Sequence, residues 1–279
     1  FLLRPFDLNT YFEEATDQRI IQEQSLAFTS SHPWNDLFSS TELKRVDEMR
    51  QLYEKRLRMR NAGYIKKEFE RIMIEFSWKS SRIEGNTYTL LDTERLLKNH
   101  KEASGKTRSE ALMIMNHKEA FEYIFRYRRH FRKVSIQKIR EIHSLVVKGL
   151  RVKTGIRNHA VGIIGTRYKP LDNQYQIREA LEKLCKIVNR LEHPPFLKAF
   201  LIIAGISYLQ PFEDGNKRTS RLMGNAILMA YEYCPLSYRS VDESAYKKAI
   251  IVFYEQYSLF FFKALFLQQY EFAVKNYFL

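Results

Sequence analysis

A chain of 279 residues, 45% hydrophobic and 28% charged, is long enough to bury a sizeable core and too apolar to be a disordered chain. Its formal net charge of +14 favours anionic partners such as nucleotides, nucleic acid or acidic surfaces. The two cysteines, Cys185 and Cys234, are too few for a disulfide framework and predict a reducing, cytoplasmic compartment.

Neither end of the sequence predicts a membrane anchor. The chain begins at Phe1 without a methionine, so a targeting segment stays open. The most apolar run, residues 259–267, is too short to span a bilayer and is interrupted by Lys263. We therefore expect a buried helix there and no membrane partner.

The first half of the chain is predicted to be helical. Apolar residues recur every three or four positions from Ile65 to Ile83, which predicts a helix that the Gly85-Asn86 pair ends with a left-handed cap. Residues 36–40 are expected to form a loop. The other predicted helices span residues 44–60, 90–100 (opened by Thr89 or Asp92), 110–129 and 135–149, the last with Ser135 as its N-cap.

The pattern changes after residue 150. Branched and aromatic residues alternate with turn formers over residues 157–169, which predicts a small β-hairpin closed by residues 170–172. Helices are then predicted at residues 177–191, 195–209 and 217–231 and from residue 244 onward. The expected fold class is therefore all-α with one short hairpin.

The loop between the helices at 195–209 and 217–231 carries the clearest chemical signal. Pro211 ends the first, apolar helix, and the second begins with Lys217, Arg218 and Arg221. Cations at a helix N-terminus oppose its dipole at a cost of roughly 0.3–1 kcal/mol each. A bound anion would offset that cost, because the first N–H groups and the cations would point at it.

Two further residues of this loop fit an anion site. Gly215 would let the backbone approach the anion, and Asp214 could hold Mg²⁺, which takes one or two carboxylates plus phosphate oxygens. The alternative is a solvated basic helix start with Asp214 as an ordinary N-cap. Composition alone leaves both interpretations open.

The segment LQPFEDGNKRTSRL, residues 209–222, resembles the signature HxFx[DE]GN[GK]RxxR of the Fic family. The matching residues are Phe212, Asp214, Gly215, Asn216, Arg218 and Arg221. The similarity extends over roughly residues 65–250. It implies an all-α, Fic-type helical bundle with a small β-hairpin flap, divided into an N-terminal helical region (1–108), a Fic core (109–240) and C-terminal helices (241–279).

The resemblance also implies an activity and its site residues. Fic proteins typically transfer AMP from ATP to a hydroxyl of a target protein. The metal-binding position corresponds to Asp214, with Mg²⁺ as the cofactor. Gly215, Asn216, Lys217, Arg218 and Arg221 correspond to the nucleotide-binding residues, with Arg221 near the γ-phosphate. The flap that clamps the target chain by β-augmentation corresponds to Gly162, Ile163, Ile164, Gly165, Thr166, Arg167 and Tyr168.

Two positions depart from the family pattern. Gln210 stands where the resemblance places the catalytic histidine, and an amide cannot accept the proton of a hydroxyl near neutral pH. We therefore expect an attenuated or inactive adenylyltransferase. Lys217 replaces the more usual glycine, as in the Doc branch, so a phosphotransferase is an alternative, and a non-enzymatic regulatory or binding module is another.

The end of the helix at residues 65–83 resembles the family's inhibitory motif [ST]xxxE[GN]. Ser80, Glu84, Gly85 and Asn86 occupy its positions. A carboxylate in the last turn of a helix interacts unfavourably with the helix dipole unless a cation pairs with it. The resemblance implies that Arg221 is that cation and that Glu84 displaces the γ-phosphate. The alternative is a surface glutamate near a helix end.

Other charged and polar residues suggest structure more than chemistry. The basic run at residues 126–133 is either a nucleic-acid patch or a solvated helix end, and we favour the second. His143 is expected in the core and His193 at a helix start, and no His/Cys cluster has metal-ligand spacing. The expected partners are ATP or a related nucleotide and a target protein; nucleic acid and a second copy of the chain stay open.

Overall fold

The structure is a computed structural model. It describes residues 2–21, 33–190 and 192–279. The described residues form helices joined by loops, without a β-strand. The helices are α1 (Leu8–Glu13), α2 (Ser40–Met59), α3 (Ala62–Ile83), α4 (Leu90–Asn99), α5 (Arg108–Arg126), α6 (Ile136–Val146), α7 (Gln174–Val188), α8 (Pro195–Leu209), α9 (Asn216–Ala230), α10 (Glu243–Gln256) and α11 (Phe260–Asn276). The all-helical fold class is confirmed.

The core is built on the close pairing of α8 and α9. Every residue of α8 after Pro195 is buried, as its continuous apolar sequence predicts. Gly224 of α9 faces Ile203, and a Cβ there would come within 2.4 Å of the Ile203 Cδ1 atom. The absence of that side chain allows the close approach of the two helices, which α5, α6 and α7 surround. The loop between α8 and α9 is thereby anchored at both ends.

Helix ends follow the capping residues in the sequence. Thr89 and Ser135 cap α4 and α6 as predicted, and α8 has the predicted bounds. Gly85, at φ +96°, follows α3 in the left-handed conformation that was expected. The predicted helix at residues 177–191 is observed as α7, which begins three residues earlier and ends at Val188; residue 191 lies outside the described residues.

Other boundary predictions were also wrong, among them the helix expected at 135–149, which ends at Val146. Residues 36–40 are not a loop, since a 3₁₀ turn spans Trp34–Leu37 and Ser39 caps α2 in a capping box with Glu42. The predicted helix at 110–129 ends at Arg126, and the basic run continues as a second 3₁₀ turn, Arg128–Arg132. Short-range capping and the tighter turn were not separable from helical periodicity in the sequence.

The predicted β-hairpin is also wrong. Residues 151–173 contain a turn at 164–165 but neither helix nor strand. The segment is anchored to the helical core instead: the N–H of Arg157 donates to the carbonyl of Pro211 at 3.0 Å, and the Tyr168 hydroxyl donates to the carbonyl of Tyr208 at 3.1 Å. We call residues 162–169 the flap segment.

None of the helices in the described ranges combines the length and the apolar character that crossing a bilayer requires.

Candidate functional site

The loop between α8 and α9 is closed by one side chain. The Asn216 amide accepts a hydrogen bond from the N–H of Phe212 at 2.8 Å and donates to the Phe212 carbonyl at 2.8 Å. These two bonds leave the second hydrogen of the amide nitrogen and the backbone N–H of Asn216, at the start of α9, as the donors that it can offer an anion.

Gly215 is required by the backbone and by its neighbours in α6. Its φ of +79° is in the left-handed region, and a Cβ would lie 3.1 Å from Val147 Cγ1 and 3.3 Å from Val146 Cγ1. The expected reason for this glycine, approach of the backbone to an anion, was therefore incomplete. Gly215 lines the site with its backbone and packs its Cα side against α6.

His143 of α6 supports the same loop from below. Its ring stacks on Phe212 with centroids 3.7 Å apart, and its Nε2 lies 3.0 Å from the Asp214 carbonyl, which can only accept. Burial lowers the pKa of His143 to about 4, so the ring is neutral near pH 7. The core position expected for His143 is confirmed.

Arg218 is a buried cation with one unsatisfied nitrogen. Its side chain is 1% exposed, and its Nη2 donates to Asp214 Oδ2 at 2.9 Å. Its Nη1 has no hydrogen-bond partner among the described residues. Asp214, in contrast, is 64% exposed at the rim of the site. A buried guanidinium nitrogen without a partner is costly, and an anionic ligand would satisfy it.

Glu84 lies between two cations of α9. Its Oε1 is 2.9 Å from Arg221 Nη2, and its Oε2 is 3.2 Å from Lys217 Nζ. Burial alone would raise the pKa of Glu84, but Arg221 and Lys217 outweigh it and lower the pKa to about 2. Glu84 is therefore ionised near neutral pH and neutralises part of the positive charge at the start of α9.

A chain of buried hydrogen bonds continues behind that ion pair. Arg221 donates to Ser80 Oγ at 2.9 Å and to the Ser80 carbonyl at 2.8 Å. The Ser80 hydroxyl is 2.9 Å from His117 Nε2, and His117 Nδ1 is 3.0 Å from the carbonyl of Met113. Since a carbonyl only accepts, Nδ1 carries the proton, and Nε2 accepts from Ser80.

His117 is a site residue that the sequence does not reveal. It lies on the buried face of α5 with Ile114 and Phe121, so helical periodicity predicts an ordinary core position for it. Burial lowers its pKa to about 3, which keeps the ring neutral and fixes its acceptor role. Only its juxtaposition with Ser80, a long-range contact, reveals the role.

Asn86, the last residue of the predicted inhibitory motif, ties the end of α3 to α5. Its amide donates to the carbonyl of Glu110 at 2.9 Å and accepts from the N–H of Tyr88 at 3.0 Å. It does not line the cleft, in contrast to Glu84 and Gly85.

Gln210 turns its side chain back onto α8. Its backbone is left-handed, at φ 46° and ψ 57°, and the residue is 6% exposed. The amide nitrogen donates to the Ser207 carbonyl at 2.6 Å and to the Tyr254 hydroxyl at 3.2 Å, while Arg157 Nε donates to the Gln210 carbonyl at 2.6 Å. A neutral amide held by its nitrogen offers no basic group to the site.

These residues surround a cleft of about 440 Å³. Its lining combines the cationic loop with an apolar wall and consists of Ile83, Glu84, Gly85, Val161, Gly162, Ile163, Ile164, Gln210, Glu213, Asp214, Gly215, Asn216, Lys217, Arg218, Lys247, Ile250, Ile251 and Tyr254. Ser80 and Arg221 lie behind Glu84 and do not line it. Cleft and loop together form the candidate site, with cations on one side and apolar residues on the other.

The flap segment contributes only its first part to this cleft. Gly162, Ile163 and Ile164 line it, and the Ile164 side chain is 99% exposed at the turn. Gly165 follows with a φ of +86°, and the Thr166 hydroxyl accepts a hydrogen bond from the N–H of Tyr168 at 3.0 Å. Arg167 points to the N-terminal segment, where its Nη2 donates to the carbonyl of Arg19.

Comparison with known proteins agrees with this architecture. The sequence model described as "Fic/DOC family" matches residues 133–228. A protein adenylyltransferase Fic of Nematostella vectensis is 28% identical over 195 residues, which is 65% of this chain and 43% of that protein. The Drosophila melanogaster protein of the same name is 26% identical over 186 residues, 66% of this chain and 38% of that protein. The chain thus spans less than half the length of these relatives.

Solved structures show the same fold. Fic-1 from C. elegans superimposes with a TM-score of 0.71 at 20% identity, covering 86% of this chain and 72% of that one. A Fic domain containing signaling protein from Bacteroides thetaiotaomicron gives a TM-score of 0.64 at 22% identity, covering 81% and 95%. Residues 133–228 match the Fic/DOC family model, and the helical fold that carries the loop after α8 is the fold of these Fic structures.

Proposed function

We propose that this chain binds a nucleoside triphosphate, ATP or a related nucleotide, with Mg²⁺ in the cleft at the start of α9. The observation that carries the proposal is the buried Arg218, whose Nη1 has no partner among the described residues, beside the first N–H groups of a helix. A triphosphate would satisfy both, since helix N-termini and guanidinium groups are the common phosphate ligands.

The residues present also fit a magnesium ion carried by the nucleotide. Asp214 supplies one exposed carboxylate at the rim of the cleft. In the described ranges, no group of three or more His, Cys, Asp or Glu side chains forms a metal site of its own. Mg²⁺ commonly takes one or two carboxylates and completes its shell with phosphate oxygens and water. Its chemistry here would be to neutralise phosphate charge.

We further propose that the chain resembles its adenylyltransferase relatives in mechanism but is attenuated. In AMP transfer, a target hydroxyl oxygen bonds to the α-phosphorus, the bond to the β-phosphate oxygen breaks, and pyrophosphate leaves. The hydroxyl proton needs a base, and Gln210 at the cleft cannot accept it. General base catalysis contributes roughly 10²–10⁴-fold, so the expected rate falls by about that factor.

Glu84 is proposed to inhibit nucleotide binding. It pairs with Lys217 and Arg221, two of the three cations at the start of α9. A triphosphate would compete with this carboxylate for the same cations, and the repulsion between them adds to the cost. The inhibitory motif then acts because its carboxylate pairs with the cations that the phosphate would bind.

The protein target is proposed to dock at the flap segment, where Ile164 is exposed beside the cleft. We also propose a division of the chain into residues 1–108, 109–240 and 241–279, and a cytoplasmic location.

Phosphate transfer of the Doc kind stays the alternative because of Lys217. The position of the transferred label would distinguish the two reactions.

Calorimetric titration with Mg·ATP tests the nucleotide site. The background is Glu84→Gly, in which the competing carboxylate is removed. Arg218→Gln in that background should weaken binding at least about tenfold, equivalent to about 1.4 kcal/mol. The matched control is Arg129→Gln, an exposed cation of the 3₁₀ turn that does not line the cleft. Absence of binding in Glu84→Gly, or equal weakening by both arginine variants, contradicts the proposal.

A further inference from the structure

The flap segment is held by a residue that lies far from it in sequence. Arg19 is 4% exposed, and its Nη2 donates to the carbonyl of Gly165 at 2.6 Å. Gly165 forms the turn of the flap segment at φ +86°. This contact joins residues 146 positions apart, and Arg19 lies outside the part of the chain that matches the family model whereas Gly165 lies inside it.

The other side of the Arg19 guanidinium is fixed to α10. Its Nε donates to Glu255 Oε2 at 2.9 Å, and its Nη2 also lies 3.2 Å from Glu255 Oε1. Glu255 is fully buried and accepts a third hydrogen bond, from the Tyr11 hydroxyl, at 2.7 Å. Because the carboxylate is buried and held on two sides, it fixes the guanidinium plane and hence its position against Gly165.

The flap segment also donates a hydrogen bond back to Arg19. Arg167 of the flap segment donates through Nη2 to the carbonyl of Arg19 at 3.0 Å, and Gln256 of α10 donates to the carbonyl of Ile20. Backbone and side chain of the same N-terminal residue are therefore both bonded to the flap segment. An ion pair that served only to attach the N-terminal segment to α10 would require neither flap contact.

Strand pairing does not restrain this segment in the described part of the chain, so its turn depends on such contacts. Residues 162–164, which directly precede Gly165, line the cleft. We propose that Arg19 is a positioning residue for the flap segment: it couples the N-terminal segment and α10 to the Gly165 turn and thereby sets the edge of the cleft. Its consequence for ligand binding rests on the proposed function, whereas its effect on the flap does not.

Hydrogen exchange of the intact chain tests this coupling without any ligand. In Arg19→Lys the charge opposite Glu255 is kept, but a single ammonium lacks the planar fork that reaches both Glu255 and Gly165. We expect amide exchange in residues 162–168 to accelerate about tenfold or more while amides of α8 and α9 keep their rates. The double variant Arg19→Gln with Glu255→Gln removes the charge pair without leaving a buried charge and should accelerate the same amides.

Two controls isolate the flap contact. Tyr11→Phe removes one hydrogen bond to Glu255 but leaves the Arg19 contact with Gly165, and should accelerate exchange in residues 162–168 much less than Arg19→Lys does. Arg45→Lys alters an exposed ion pair with Glu271, away from the flap segment, and should leave exchange in residues 162–168 unchanged. Unchanged exchange of the flap in Arg19→Lys, or a uniform acceleration over all helices, overturns the proposal.

A second readout separates this inference from the nucleotide site. In the Glu84→Gly background, Arg19→Lys should weaken Mg·ATP binding several-fold. Faster flap exchange with no nucleotide binding in any variant would contradict the proposed function and leave the role of Arg19 in place. If Arg19→Lys changes neither nucleotide binding nor flap exchange, the role of Arg19 is contradicted and the proposed function stands.

Discussion

The Ser80 hydroxyl donates a buried hydrogen bond of 2.9 Å to His117 Nε2 and, on its other side, accepts one from Arg221. Three helices, α3, α5 and α9, therefore meet at one hydroxyl group. The same α3 helix turn presents Glu84 to Arg221, so the orientation of Ser80 and the ion pair at the site are linked.

A double-mutant cycle measures that link. Ser80→Ala and His117→Phe each remove one partner of the bond, and we expect an interaction term in the free energy of unfolding of about 1 kcal/mol. Urea unfolding of the wild type, both single variants and the double variant provides the four values. Strict additivity would mean that His117 contributes packing alone.

Removal of the Glu84 charge should release the phosphate position. In Glu84→Gln the shape of the side chain is kept, Lys217 and Arg221 lose their carboxylate, and Mg·ATP should bind at least about tenfold more tightly than to the wild type. Glu243→Gln is the matched control, since Glu243 pairs with Lys79 and Arg82 near the end of α3 without contacting Arg221. Equal affinities in wild type and Glu84→Gln would refute the inhibitory role.

The same ion pair should give a defined dependence of stability on pH. The pKa of Glu84 is lowered from 4.5 to about 2 in the folded chain, so its stabilisation is complete above the unfolded pKa of 4.5 and is lost as the pH falls through 2. The difference in unfolding free energy between wild type and Glu84→Gln should therefore be largest near neutral pH and shrink below 4.5. A difference that does not change on acidification would show that the lowered pKa is absent.

Restoring a base at position 210 should restore transfer. Gln210→His in the Glu84→Gly background should raise labelling of a target protein from ATP by roughly 10²–10⁴-fold. Histidine is among the residues that tolerate the left-handed backbone found there, at φ 46°. Label from the α-phosphate identifies AMP transfer, and label from the γ-phosphate identifies the Doc-like alternative. No increase with either label would show that more than the base is missing.

The close pairing of α8 and α9 predicts a stability effect at Gly224. A Cβ there would overlap Ile203, at 2.4 Å from Cδ1 and 2.5 Å from Cγ1, so Gly224→Ala should destabilise the chain by about 1–3 kcal/mol. Gly162→Ala in the flap segment is the control, because no atom lies within 4 Å of its Cβ position. Thermal or urea unfolding that ranks the two variants equally would contradict this account of the helix pair.

Much of the helical fold was readable from the sequence because it is coded locally. The apolar run from Pro195 and the caps at Ser135 and Thr89 predicted helices in their observed places. The flap segment was misread as a hairpin because alternation indicates an extended backbone but does not supply a strand to pair with. The restraints on residues 157–169 come from Arg157, Tyr168 and Arg19, through contacts that span long sequence separations.

The candidate site was readable to the extent that it is one continuous motif. Residues 210–221 carry the likeness to the Fic signature and include the loop that lines the cleft, and the resemblance is confirmed over residues 133–228. The supporting residues could not be found in this way. His117 and Arg19 contact the site through residues 37 and 146 positions away, and a single sequence carries no local signal for such pairs.

The central claim, that a polyphosphate binds at the start of α9 in the place held by Glu84, is tested most directly by a crystal structure of Glu84→Gly grown with Mg·ATP. The account predicts electron density for the triphosphate between Gly215 and Arg221, with Arg218 Nη1 contacting a phosphate oxygen and Asp214 beside the metal. Nucleotide bound elsewhere, or a loop without density at ATP concentrations that saturate binding in solution, would contradict it.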